Sequence, residues 1–272
     1  MSAAAATTVA QMLRCVVDPA YLMRKAGFVP DPWQVEALRS RAQQQQLLCS
    51  RQSGKSTVAG VLALHTALYS PGSLTLLLSP TLRQSQELFK IVTKLYTRLD
   101  APIAITRASA LQVEYANHSR IVSLPGEEQN IRGYAGVHLL VCDEAARIED
   151  ALYFSVRPML AVSGGRLLLL STPNGKQGVF YTTWDSGEDW HRVWVTADQC
   201  PRISKAFLEQ ELAAMGEWWF AQEFFCEFKE SMDQVFSHDR VMRALSADAQ
   251  VLWDTDPLGP SAQRRRRRCV LF

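Results

Sequence analysis

The sequence contains few of the features that mark secreted, metal-chelating or membrane-bound proteins. Its six cysteines include no Cys-x-x-Cys pair and no metal-like spacing, so neither a disulfide framework nor a cysteine-based metal centre is expected. It has no run of about 18 apolar residues, the length needed to cross a bilayer. The alanine-rich start lacks a basic segment and a long apolar stretch, which argues against a signal peptide.

Over most of the chain, acidic and basic residues nearly balance, so no large excess of either charge is present. The net charge of +2 arises from a block of five arginines, Arg264–Arg268. Of the 29 lysines and arginines, 24 lie outside this block against 27 acidic residues, a balance of −3. The body is therefore not a strongly basic nucleic-acid binder, and contact with DNA would need a local patch. With 47% hydrophobic residues among 272, the chain can bury the core of one large domain.

The most informative motif is Cys49–Thr57, with the sequence CSRQSGKST. It follows a short apolar run and opens an apolar-periodic helix, as a phosphate-binding P-loop requires. Backbone N–H groups and the helix dipole of such a loop cradle phosphates. Lys55 would then reach the β- and γ-phosphates, and Ser56 would hold Mg²⁺. The match to G-x-x-x-x-G-K-[ST] is incomplete, because Cys49 replaces the first glycine.

A second motif appears where an ATPase site would need it. Residues 139–142 form an apolar run that ends in the adjacent carboxylates Asp143 and Glu144, a pattern typical of a buried parallel strand. Asp143 can take Mg²⁺, and Glu144 can polarise the attacking water as general base. The alternative is a strand that ends in a solvated acidic turn. Together with the P-loop, the motif indicates hydrolysis of a nucleoside triphosphate.

A third segment, Arg166 followed by four leucines (167–170), leads into Ser171, Thr172 and Pro173. Hydroxyl groups at this strand end can sense the γ-phosphate water and report hydrolysis to a moving neighbour. The alternative is an ordinary strand that ends at a proline-marked turn. Because the other two motifs are also present, we favour the sensor interpretation of this segment.

Strand and helix signals alternate along the chain and predict an α/β fold, a mostly parallel, doubly wound sheet flanked by helices. We expect a strand at 73–79, a helix at 83–99, a hairpin around Asn117, a strand at 191–196 and two helices at about 204–215 and 217–226. The basic stripe of the helix at 83–99 is predicted to be a solvated face. The aromatic cluster that includes Trp218, Trp219, Phe220, Phe224 and Phe225 is predicted to lie in the core.

Together the motifs resemble the ATPase domain of the large terminase subunit of tailed bacteriophages, the motor that packages DNA into procapsids. The resemblance covers about residues 28–240 and rests on five ordered segments, Pro30–Gln34, Ser50–Thr57, Asn130–Gly133, Val141–Ala145 and Ser171–Gly175. That family commonly departs from the first P-loop glycine. The resemblance implies a P-loop NTPase (RecA/ASCE-like) domain over 28–240, after a partly helical segment (1–27) and before a linker with a basic tail (241–272).

The resemblance also implies residue roles. Gln34 would read the adenine edge and favour ATP over GTP, with Trp33 or Pro32 near the base. Arg51 would contact the γ-phosphate within the same subunit. Arg132 is the candidate for an arginine supplied to a neighbouring subunit, and its alternative is an ordinary surface arginine. The nucleotide would be held by Ser50, Arg51, Gln52, Ser53, Gly54, Lys55, Ser56 and Thr57, the metal by Ser56 and Asp143, with Glu144 as base and Ser171, Thr172 and Pro173 in coupling.

The partners implied by the resemblance are double-stranded DNA, further copies in a ring, a portal and a small terminase subunit, with ATP and Mg²⁺ as cofactors. The location would be the bacterial host cytoplasm, without a membrane. The family's C-terminal nuclease domain is not matched, because Asp254 and Asp256 are too few for its carboxylate cluster, and no nuclease activity is expected. Two alternatives stay open: a prophage remnant that binds nucleotide without packaging, and a helicase-like ATPase.

Overall fold

The computed structural model describes residues 3–126, 133–186 and 189–230, with side chains from residue 10 onward. Arg132, Asp254, Asp256 and the arginine block lie outside these residues. The helices are α1 (Ala3–Val17), α2 (Pro19–Lys25), α3 (Pro32–Arg39), α4 (Lys55–Tyr69), α5 (Leu82–Arg98), α6 (Asp150–Val156), α7 (Gly178–Asp185) and α8 (Lys205–Glu223). The strands are β1 (Gln44–Cys49), β2 (Leu74–Ser79), β3 (Ile105–Ala108), β4 (Gln112–Tyr115), β5 (Arg120–Pro125), β6 (Val137–Asp143), β7 (Arg166–Ser171) and β8 (His191–Val195).

These strands form one eight-stranded sheet in the order β3-β4-β5-β2-β6-β7-β1-β8. The run from β5 to β8 is parallel throughout, whereas β3, β4 and β5 pair antiparallel. The predicted α/β class with a mostly parallel sheet is confirmed. Since β6, β7 and β1 are neighbours and parallel, their carboxyl ends meet at one edge, where ligands of open α/β sheets bind.

The central strands are buried on both faces, which explains their continuous apolar runs. In β7, Leu168 and Leu170 pack into the core on the α4 and α5 side, while Leu167 and Leu169 pack into the core on the side of α6 and α7. The helices before residue 28 belong to the first of these cores, since Leu22 and Met23 are buried in it. None of the described helices is long and apolar enough to span a membrane.

Strand β1 begins three residues before its apolar run. Gln45 and Gln46 are fully buried, and each side-chain amide donates to a backbone carbonyl. Gln45 Nε2 lies 3.0 Å from the Ala37 oxygen, and Gln46 Nε2 lies 2.6 Å from the Phe180 oxygen. These bonds satisfy the buried amide nitrogens and join α3 and α7 to opposite faces of the strand that carries the P-loop.

Most predicted elements after the P-loop are confirmed, including the hairpin of β4 and β5 and the long helix α5. The two helices predicted at about 204–215 and 217–226 correspond to α8, which is interrupted at Gly216, where φ is 77°. The assignment of the aromatic cluster to the core is wrong in part. Phe220 and Phe224 are buried, but Trp219 and Phe225 are 46% and 37% exposed. Consecutive helical residues point in different directions, so one face of α8 cannot bury both Trp219 and Phe220, and Phe225 lies beyond the last residue of α8.

Candidate nucleotide-binding site

The loop between β1 and α4 has the backbone shape of a P-loop. Gln52 and Gly54 have φ values of 61° and 92°, in the region that glycine tolerates best. A side chain at position 54 would also collide with its surroundings, because a Cβ there would lie 2.8 Å from Gln34 Nε2. Glycine is therefore favoured at this position by its backbone conformation, and a larger residue would also require the buried Gln34 side chain to shift.

The replaced first glycine has a simple structural explanation. Cys49 is the last residue of β1 and is fully buried, and it does not have a positive φ. Burial raises the pKa of its thiol to about 12, so it is an inert core side chain. The turn itself starts at Ser50, whose N–H donates to the Val195 carbonyl at 2.9 Å. No feature of the loop depends on a glycine at position 49.

Lys55, Ser56, Asp143 and Glu144 converge at the ends of β1 and β6. Lys55 Nζ lies 3.1 Å from Glu144 Oε1, and Ser56 Oγ donates to Asp143 Oδ2 at 3.3 Å. Burial opposes the charge on Lys55, but Glu144 and Asp143 outweigh this effect and raise its pKa above the ordinary value. Burial raises the pKa of Asp143 to about 6, although Lys55 opposes the shift. The cluster combines one cation with oxygen ligands.

Glu144 has a left-handed backbone conformation, with φ 53° and ψ 42°. This conformation costs a non-glycine residue about 1–2 kcal/mol, and such strain concentrates at functional sites. It turns the carboxylate toward the end of β7, where Oε2 accepts from Arg147 Nη1 at 3.1 Å and from Ser171 Oγ at 3.4 Å. The candidate base is therefore held by a lysine, an arginine and a hydroxyl group.

The end of β7 joins this network through Thr172. Arg147 Nη1 donates to Thr172 Oγ1 at 3.2 Å as well as to Glu144, so one guanidinium connects the candidate base to the coupling segment. Ser171, Thr172 and Pro173 are all buried. The sequence interpretation missed Arg147, and its only signal was a position three residues after Glu144, where a short 3-10 helix returns it to the site.

Arg51 lines the same cleft and contacts the end of α8. Its Nε lies 2.5 Å from Glu223 Oε2, and its backbone N–H donates to the Glu223 carbonyl at 3.2 Å. Arg147 Nη2 lies 3.7 Å from the other carboxylate oxygen of Glu223. Nothing in the local sequence marks Glu223, yet this side chain holds two arginines that border the cleft.

Gln34 is placed beneath the P-loop rather than on its surface. It is 2% exposed. Its Oε1 accepts from the Asp31 N–H at 2.9 Å, and its Nε2 lies 3.5 Å from the Gly54 carbonyl. Arg202 strengthens the same junction, since it binds both carboxylate oxygens of Asp31 at 2.9 and 2.7 Å and donates to the Ser53 carbonyl at 2.7 Å. Trp33 is buried in the core.

A cleft of about 460 Å³ opens over these groups. Its lining combines the loop with the ends of the strands and the start of α5, and includes Arg51, Gln52, Gly54, Lys55, Ser56, Thr57, Gln84, Glu144, Arg147 and Thr172. Within the described ranges, no three His, Cys, Asp or Glu side chains form a metal cage. Ser56 and Asp143 nevertheless fit Mg²⁺, which proteins bind through one or two oxygen ligands while nucleotide phosphates and water supply the others.

Comparison with known proteins agrees with this geometry. The family model described as terminase large subunit, T4likevirus-type, N-terminal matches residues 46–243. The large terminase subunits of Thermus phage G20c and Thermus virus P23-45 are each 27% identical over 252 residues. Each match covers 78% of this chain and 51% of the relative. The chain therefore spans about half the length of the curated relatives it matches.

Two solved structures share the fold. The ATPase domain of the large terminase of Thermus phage P74-26 superposes with a TM-score of 0.67 at 22% identity, covering 76% of this chain and 96% of that domain. The large terminase of another thermophilic bacteriophage, in complex with ATP-gamma-S, gives a TM-score of 0.59 at 13% identity, covering 73% of this chain and 53% of that one. At these identities the likeness establishes the fold.

Proposed function

The chain belongs to the large terminase subunit family, and from this premise we propose that it hydrolyses ATP with Mg²⁺ to move double-stranded DNA into a procapsid. The observation that carries the proposal is the convergence of Lys55, Ser56, Asp143 and Glu144 at the edge of the sheet. A cation, a hydroxyl and two carboxylates in a P-loop cleft are the groups that phosphoryl transfer uses.

The role of each group follows from its contacts. Lys55 would exchange its contact with Glu144 for the β- and γ-phosphates. The Glu144 carboxylate, released from Lys55, would then orient water and accept its proton. Ser56 and Asp143 would hold Mg²⁺, which neutralises charge that develops on the phosphate oxygens. Because all four residues are present and in contact, a remnant that only binds nucleotide is the less favoured interpretation, and the family match gives no support to a helicase.

Arg51 and the coupling segment would link this chemistry to motion. Arg51 would break its ion pair with Glu223 and contact the γ-phosphate of the same subunit. The end of α8 would then be free of this contact with the P-loop. Ser171, Thr172 and Pro173 would sense the same change through Glu144 and Arg147.

We further propose that the chain forms a ring in which Arg132 contacts the nucleotide bound by a neighbouring subunit. A portal and a small terminase subunit would complete the machine in the host cytoplasm.

The proposal is tested by Mg²⁺-dependent phosphate release from ATP, measured with the purified chain in the presence and absence of double-stranded DNA. We expect hydrolysis that depends on Mg²⁺ and rises with DNA. ATP binding without turnover at any protein concentration would favour the remnant. Absence of nucleotide binding by a folded sample would refute the ATPase assignment.

Hydrolysis should also depend on pH through Asp143. Its pKa is raised to about 6, so below that pH the side chain is protonated and cannot take a cation. We expect kcat/KM for MgATP, which reports the pKa values of the free enzyme, to fall as the pH drops through about 6. Because the metal competes with the proton, a higher Mg²⁺ concentration should move the midpoint to lower pH. A pH midpoint that does not change with the Mg²⁺ concentration would show that a group other than Asp143 titrates.

A further inference from the structure

A cavity of about 690 Å³ lies at the edge of the sheet opposite the phosphate cleft. Its wall includes Arg166, the first residue of β7, and residues 38–41, which precede β1. The phosphate cleft lies at the other ends of these two strands. Because each strand has six residues, the two edges are about 20 Å apart. A ligand in this cavity would therefore not touch a nucleotide held by Lys55.

Positive charge exceeds negative charge in the cavity. Three arginines, Arg39, Arg41 and Arg166, line it together with one acidic residue, Asp18. Both carboxylate oxygens of Asp18 are already bound to Arg39, at 3.1 and 2.6 Å. Among the described residues, no ion pair joins Arg41 or Arg166 to a carboxylate. Two guanidinium charges are therefore available to an anionic ligand.

Arg166 is the half-buried member of this group. Its Nη2 donates to the Ser40 carbonyl at 2.9 Å, and its Nε donates to the Ala42 carbonyl at 3.2 Å. Both acceptors are neutral, and burial lowers the pKa of the guanidinium. A charge that is partly removed from water is costly unless an opposite charge accompanies it. A carboxylate from a ligand would supply that opposite charge.

The cavity also has apolar walls, which continue onto an exposed face of α1. Leu38 and Leu62 line the cavity and are buried, whereas Val17 lines it and is 70% exposed. Four exposed apolar side chains end this helix, Met12, Leu13, Val16 and Val17. Their spacing places them on one side of α1. Exposed apolar surface bordered by charged groups is typical of sites that bind other proteins.

We propose that this cavity and the exposed face of α1 bind an acidic, apolar segment of a partner protein. Carboxylates of the segment would pair with Arg41 and Arg166, and its apolar side chains would cover Val16 and Val17. Duplex DNA complements only half of this surface, since phosphates would meet the arginines but leave the apolar walls uncovered. The site lies at the edge of the sheet away from the phosphate cleft, so it goes beyond the ATPase function proposed above.

The probe for the test is obtained by selection of peptides from a random display library on the full chain. We expect a class of recovered peptides that combines Asp or Glu with Leu, Ile or Phe. One member of this class is synthesised with a fluorophore, and its dissociation constant is measured by fluorescence anisotropy. A twin peptide with Lys in place of each acidic residue should not bind.

Arg41→Glu should weaken binding of the acidic peptide at least about tenfold. Arg41 is exposed, and no hydrogen bond or ion pair with another described residue holds it, so this variant should fold. Arg24→Glu is the matched control, since Arg24 is exposed on α2 and does not line the cavity. Val17→Ala should weaken binding about 3- to 15-fold, whereas Val29→Ala changes an exposed valine outside the cavity and should have no effect.

Three results would overturn the proposal. The first is equal affinity of the Arg41→Glu and unsubstituted chains for every acidic, apolar peptide recovered. The second is loss of duplex DNA binding in Arg41→Glu when no peptide depends on Arg41, which would assign the cavity to nucleic acid. The third is loss of self-association in Arg41→Glu without any effect on peptide binding, which would assign the surface to a second copy of the chain.

ATP hydrolysis is measured on the same samples and should be unchanged in Arg41→Glu. Peptide binding by a folded chain that does not hydrolyse ATP would contradict the ATPase function and leave this site in place. ATP hydrolysis by a chain that binds no such peptide would contradict only the site.

Discussion

The Lys55→Ala variant is expected to hydrolyse ATP at least about 100-fold more slowly than the unsubstituted chain, as with loss of other groups that stabilise developing charge. Lys55 is buried and starts α4, at the positive end of the helix dipole. It is the one lysine among the described residues that line the cleft. Without it, phosphates would face the carboxylates of Asp143 and Glu144 with no lysine to neutralise them. Phosphate release and ATP affinity should both decrease.

The matched control is Lys90→Ala, which removes an exposed lysine paired with Glu87 on α5 and should leave hydrolysis unchanged. Lys55 also neutralises two buried or half-buried carboxylates, so circular dichroism must show that the variant is folded. Normal turnover by folded Lys55→Ala would place the chemistry elsewhere in the molecule.

Glu144→Gln is expected to slow turnover by about 10²- to 10⁴-fold, the usual contribution of a general base, and to retain ATP binding. Glutamine preserves the size of the side chain, but it has one acceptor oxygen in place of two and cannot accept the proton from water. In the unsubstituted chain Glu144 competes with phosphate for Lys55, which lies 3.1 Å away. The variant should therefore bind ATP as tightly as the unsubstituted chain or more tightly. Single-turnover hydrolysis and equilibrium binding separate the two effects.

Glu149→Gln provides the control for this substitution, because Glu149 is an exposed carboxylate in the same segment and lies outside the cleft lining. Its turnover should equal that of the unsubstituted chain. If Glu144→Gln lost ATP binding in proportion to turnover, the role of Glu144 would be structural support of Lys55.

Much of the sheet was predictable because its strands are buried on both faces. Continuous apolar runs in β2, β6 and β7 leave little choice other than central parallel strands. Strand β1 shows the limit of that argument, since three of its six residues are glutamines. The burial of Gln45 and Gln46 depends on carbonyl groups of α3 and α7, which come close only after folding. Periodicity also misplaced Trp219, whose exposure depends on how α8 packs, and Phe225, which follows the end of α8.

The candidate site likewise contains residues that could be predicted from the sequence and residues that could not. Lys55, Ser56, Asp143 and Glu144 were predicted because a phosphate loop and an acidic strand end impose residue types at defined local spacings. Arg202 and Glu223 were not predicted, and their importance comes from contacts with Ser53 and Arg51. Glu223 is 172 residues from Arg51 in the chain, and no local pattern encodes a pairing at that distance.

The sequence by itself determined the residue types at the strand ends, the alternation of strands and helices and the family resemblance. Each of these depends on short segments of the chain, in which backbone conformation and burial directly constrain the residue types. Only the tertiary structure decided that Gln34 is buried with its amide nitrogen 3.5 Å from the Gly54 carbonyl, that Arg51 is held by Glu223, and that Phe207 lines a hollow beside the loop. Such contacts depend on a strand order that differs from the chain order, which brings distant charges and rings together in space.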